Sequence, residues 1–109
     1  MLYIQHYGKL IGQIFRAEIN AEVKYWVVEQ VLQKIDTYDI HIQCKMGIFD
    51  TEYRTLKISR DIKTSLGYYS VVIVDITGKL VNRTFLKIAN IETVDGMLDE
   101  LTTIMEIRI

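Results

Sequence analysis

Apolar and polar residues alternate strictly from Ile40 to Ile48: Ile40, Ile42, Cys44, Met46 and Ile48 interleave with His41, Gln43, Lys45 and Gly47. A period of two predicts a strand with one buried face. Phe49-Asp50-Thr51 reads as a turn, and "EYRTLKIS" as a second strand with Leu56 and Ile58 inside. "YYSVVIVDI" is the most continuously apolar run, which suggests the middle of a sheet. Elsewhere the spacing changes. Val23, Trp26, Val27, Val31 and Ile35 recur near the 3.6-residue period, widened by Val28 and Leu32, and predict a helix. Val94, Met97, Leu98, Leu101, Ile104 and Met105 predict a second, with Asp95, Asp99 and Glu100 on its opposite face. Gly96 inside it costs roughly 1 kcal/mol relative to alanine. The terminal "EIRI" can form a short last strand.

Two stretches nearly repeat: "YGKLIG" at 7–12 and "TGKLVN" at 77–82. Each puts Gly-Lys between β-compatible runs, and a type II′ hairpin turn takes glycine at its first central position. Slid by seventy positions, Gly8, Lys9, Leu10, Phe15, Asn20 and Glu22 meet Gly78, Lys79, Leu80, Phe85, Asn90 and Glu92. Asn20 and Asn90 stand where a helix N-cap is wanted. A duplicated hairpin–helix unit, with repeats 2–42 and 72–109, competes with convergence on the same few turn and capping residues. The element order reads β-β-α-β-β-β-β-α-β. The fold class is α+β: a mostly antiparallel sheet with two helices packed on one face.

At 109 residues the chain fits a single domain, 1–109. Half of it is hydrophobic and a quarter charged, as in globular proteins. The net charge of −1 offers no global field for phosphate backbones. Proline is absent, so turns fall to Gly, Asn, Asp and Thr. Cys44 is the one cysteine, which excludes an internal disulfide. No leader peptide is recognisable and no apolar run is long enough to span a bilayer, so a cytoplasmic protein with no membrane partner is expected.

Motifs for catalysis are missing. His41 and Cys44 have a metal-like spacing, but a strand points them to opposite faces. No serine lies in a Gly-x-Ser-x-Gly elbow, and no phosphate-binding glycine loop is present. Paired acids such as Asp36 and Asp39 read as solvated charge. Asp75 is different: it interrupts an apolar strand and needs donors, either beside the Gly78 turn or toward a ligand. No cofactor, metal or catalytic residue is assigned, and the balance leans against an enzyme.

Seven tyrosines and one tryptophan are generous for this length. Aromatic residues are enriched at protein interfaces. Tyr25, Trp26, Val28 and Leu32 therefore form a candidate partner surface, and the leading expectation is a small regulatory protein that works through protein–protein contacts, as a homodimer or with a heteropartner. A second expectation is a nucleic-acid-binding surface built from Arg54, Arg60, Lys63 and Arg83 beside Tyr53 and Tyr68. A third is a small-molecule-binding domain or enzyme with a pocket between the two units, near Asp75.

Overall fold

A computed structural model gives the fold. It describes residues 7–45, 50–60 and 67–106, apart from the side chains of residues 7 and 60. A one-turn helix, α1 (Tyr7–Leu10), precedes six strands: β1 (Ile14–Ile19), β2 (Glu22–Gln33), β3 (Thr37–Lys45), β4 (Thr51–Arg60), β5 (Tyr68–Asp75) and β6 (Leu80–Lys87). A 3-10 turn (Ile88–Ile91) then leads to α2 (Val94–Glu106). The strands pair in chain order, each antiparallel to the next. The fold is thus a mostly-sheet α+β architecture.

The sheet must curl. Six strands laid flat would hold β1 and β6 about 24 Å apart, yet both pack against α2, and a helix is only about 10–12 Å across. The helix lies in the concavity and joins the two edges. Its buried residues are Met97, Leu101, Ile104 and Met105, four of the six in the stripe read from the sequence. They meet the inward residues of the strands, among them Phe15, Trp26, Ile40, Leu56 and Ile73, in one core. Thr93 starts the helix by accepting a hydrogen bond from Gly96 N at 3.0 Å, the N-cap pattern.

Residues 22–33 are a strand, not the helix expected from Val23, Trp26, Val27, Val31 and Ile35. The reason lies in one irregularity. Val28 pairs with Ile42, but Gln30, not Glu29, pairs with His41. This bulge takes up one residue and shifts the alternation. The core-facing side chains become Trp26, Val28 and Val31, so a spacing of three interrupts the spacing of two. The segment is otherwise rich in valine, tyrosine and tryptophan, which favour strands.

The two similar stretches also part company. Gly8 and Lys9 lie in α1, whereas Gly78 closes the β5–β6 hairpin. There Gly78 N donates to Asp75 O, and glycine takes φ +85° as the last residue of that turn rather than its first central one. That is the three-residue loop whose final position needs a left-handed backbone. Asn20 caps no helix. With Ala21 it forms the β1–β2 turn, both at positive φ (53° and 63°), as a two-residue type I′ loop requires. Asn90 lies in the 3-10 turn. The proposed repeats 2–42 and 72–109 therefore do not share a fold where both are described: 22–33 is strand and 94–106 is helix. β5 is the second strand from an edge, not the middle one. The predicted first and last strands fall mostly outside the described residues; of their positions, Tyr7 and Glu106 are described, and both are helical.

Candidate functional site

Strand alternation directs a small set of charged residues inward at one end of the concave face. On β2, Lys24 shares the inner face with Trp26 and Val28. On β4, Glu52 and Arg54 share it with Leu56 and Ile58. These side chains meet where the curled sheet opens. They line a cavity of about 320 Å³ together with Ile73, Val81 and Asn82 of β5 and β6. The last turn of α2 covers it with Ile104 and Met105, and the β1–β2 turn borders it with Ile19 and Asn20.

The polar side of this cavity is an ion-pair chain. The Glu52 carboxylate is shared: Oε1 lies 2.9 Å from Lys24 Nζ, and Oε2 lies 3.5 Å from Arg54 Nη2. Arg54 Nη1 also donates to the Tyr53 carbonyl at 2.8 Å, and the guanidinium sits 5.9 Å from the centre of the Trp26 ring. All three charged side chains are at most 30% exposed. The cavity wall thus carries two cations and one carboxylate. Trp26 is 1% exposed, and its Nε1 finds no acceptor among the described residues. Such an orphaned donor costs about 1–3 kcal/mol.

Nearby, Cys44 is buried opposite Glu52 on β3. Burial, helped by the Glu52 charge, raises its thiol pKa, so the sulfur stays protonated at neutral pH. It packs as a small apolar residue. His41 lies on the other face, with Nδ1 3.1 Å from Thr55 Oγ1. Among the described residues, no group of three or more His, Cys, Asp or Glu is arranged to hold a metal ion.

The residues singled out in the sequence are divided by the sheet. Of the candidate partner surface, Trp26 and Val28 are core, while Tyr25 and Leu32 are exposed. Of the candidate nucleic-acid surface, Arg54 turns inward to Glu52 and Trp26. Tyr53 and Tyr68 are exposed at opposite ends of the β4–β5 pair, and Arg83 is exposed on β6. Lys63 and the Arg60 side chain lie outside the described residues. The described side chains among them, Arg54, Arg83, Tyr53 and Tyr68, do not share one patch. Asp39 is buried and paired with Lys34 at 3.0 Å instead of being solvated.

Asp75 does not line the cavity. Its Oδ1 accepts from Thr77 Oγ1 (2.6 Å), Thr77 N (2.9 Å) and Lys79 N (3.0 Å), which pins the β5–β6 turn. The Thr77 hydroxyl, then the Lys79 and Thr77 amides, and least of all the Arg54 charge, lower its pKa. A depressed native pKa means that this stabilisation is present above the unfolded value of about 3.9 and is lost as pH falls through the native one. Asp75→Ala should therefore lower Tm at pH 6, with a difference that shrinks as both proteins are melted at pH 4, 3 and 2. A pH-independent difference would show that the carboxylate charge plays no part in the turn.

No protein-family model, curated protein or solved structure matches this chain. Among the described residues, no helix is long and apolar enough to cross a membrane.

Proposed function

We propose that this protein is a non-catalytic binding domain that holds a small molecule in the cavity between the curled sheet and the end of α2. The carrying observation is the cavity itself: about 320 Å³, with an apolar floor of Trp26, Ile73, Ile104 and Met105 and a convergent polar wall of Lys24, Glu52 and Arg54. Ligand sites have this size and this mixture of walls. Binding is favoured over turnover because the groups that could act as base or nucleophile are committed. Glu52 is held between two cations, and the Cys44 thiol is protonated and buried. A cytoplasmic setting suits this free thiol.

Trp26 is the single tryptophan of the chain and lines the cavity, so its emission reports directly on occupancy. A fragment panel at millimolar concentration should shift that emission and raise Tm, by mass action on the native state. Val81→Phe, which fills the cavity, should abolish both responses. If no fragment moves either signal, or if the filled variant responds equally, the reading fails.

A second reading keeps the protein–protein expectation on a different surface. Ile14 (63% exposed), Tyr25 (62%) and Val23 lie together on the outer face of β1 and β2, where Arg16 pairs with Tyr25 and Ile14 with Val27. This apolar strip supports self-association. A strict monomer in sedimentation equilibrium at high micromolar concentration would remove it.

A further inference from the structure

The charges of the cavity wall name the chemistry of what enters it. This inference rests on the binding role proposed above. Two cations and one carboxylate leave an excess positive charge among side chains that are 15–30% exposed. Charges in such a place interact more strongly than at the surface, and an unbalanced one favours an opposite partner. The spacing of the two cations is also informative. Glu52 spans them with its two oxygens, one on Lys24 Nζ and one approaching Arg54 Nη2. Glu52 itself takes the gap between them, closely on Lys24 and loosely on Arg54. The longer Arg54 contact, at 3.5 Å, leaves that guanidinium incompletely satisfied on the cavity side. Behind the charges the wall turns apolar within one residue along each element: Trp26 follows Lys24 on the inner face of β2, and Ile104 and Met105 face the strands from α2.

We infer that the cavity binds a compact amphipathic carboxylate, its anionic head on the Arg54 guanidinium beside the Lys24–Glu52 pair and its apolar body against Ile73, Ile104 and Met105. Asp75, cross-strand from Arg54, offsets part of that guanidinium's charge from outside the cavity, so the excess within the lining itself is carried by Lys24 and Arg54 against Glu52 alone. Asn82 and Asn20 at the rim supply neutral donors and acceptors that leave the sign of the site unchanged.

The test uses matched probes of one shape: 3-phenylpropanoate, its neutral amide 3-phenylpropanamide, and the cation 3-phenylpropylamine. A fourth arm, phenyl phosphate, separates a carboxylate site from a general anion site. Each is titrated against the intact protein by Trp26 fluorescence at low and moderate salt. The carboxylate should bind about tenfold more tightly than the amide, the effect of one charge-assisted contact, and the amine more weakly than either. Lys24→Gln and Arg54→Gln should each bring the carboxylate-to-amide ratio toward one. Arg54→Lys, which keeps the charge, should retain most of it and serves if Arg54→Gln does not fold. Equal binding of carboxylate and amide, or preference for the amine, overturns the inference while leaving a small-molecule site in place. Preference for phenyl phosphate overturns the carboxylate assignment. If no probe binds, and the wider fragment panel is also silent, the binding role itself falls.

Discussion

Trp26→Ala should lower the unfolding free energy by about 3–5 kcal/mol, the usual loss when a fully buried aromatic side chain is cut back to a methyl group. Trp26 is 1% exposed, pairs across the sheet with Phe15 and carries the floor of the cavity. Domains of this size are stable by only about 5–15 kcal/mol, so the variant should lose a large share of its margin. Urea unfolding followed by circular dichroism measures it, since the tryptophan signal is gone. Trp26→Phe should cost much less. It keeps most of the apolar contact and removes the Nε1 donor that has no acceptor among the described residues, recovering part of the cost of an unmet hydrogen bond. A loss below about 1 kcal/mol in the alanine variant would mean that Trp26 is not the core residue described.

Gly96→Ala should also destabilise the protein, by about 1–3 kcal/mol, although alanine is the better helix former by roughly 1 kcal/mol. Helix propensity and packing point in opposite directions at this position. A Cβ at Gly96 would fall inside the contact distance of the Asn90 carbonyl oxygen, and within 3.0 Å of Thr93 Oγ1 and 3.1 Å of the Asn90 carbonyl carbon. Backbone atoms of the 3-10 turn cannot swing aside as the end of a flexible side chain can. Thr93 is held as well, because its hydroxyl caps the helix. Packing should therefore win. Thermal melts of the alanine variant decide it: a raised Tm would show that the 3-10 turn yields and that propensity dominates.

These two residues also show how far the sequence could be read. Gly96 lies in a segment with a clear 3.6-residue apolar stripe, and α2 forms over that segment because one of its faces is apolar and the other acidic. The alternation from Ile40 to Cys44 and the Leu56–Ile58 pair became β3 and β4 for the same reason. Trp26 was misread because the bulge at Glu29 puts Val28 and Val31 on one face, a spacing that a helix also produces. Once that segment became a helix, Tyr25, Trp26, Val28 and Leu32 were assigned to one surface that the strand splits in two. The near-repeat of Gly-Lys misled in a similar way. Short turn motifs are local, and the same dipeptide serves in a helix at Gly8 and at the end of a hairpin loop at Gly78.

The charged wall of the cavity has a signal in the sequence. Along β4, Glu52 and Arg54 have the same parity as Leu56 and Ile58. Along β2, Lys24 has the parity of Trp26 and Val28. Charged residues in an inward register at the ends of two strands must be paired or must line an opening. What no parity reveals is that β2 and β4 bring those ends together, with β3 between them, under the last turn of α2. That depends on sheet order and curl, which arise from contacts far apart in the chain.

One such contact has a consequence for assembly. Every strand finds its partner next in line, so the meander can zip up from short, local loops. Bringing α2 onto β1 is another matter: Glu18 N meets Glu106 Oε1 across a sequence separation of 88 residues. A contact between such distant segments gains nothing until its loop is closed, so it is expected to follow the local pairings. The chamber beside Lys24 and Arg54 has no roof until that final segment seats itself. On the proposed binding role, maturation of the fold and readiness to receive a guest would be the same event, and an occupant would act as a latch on that seating.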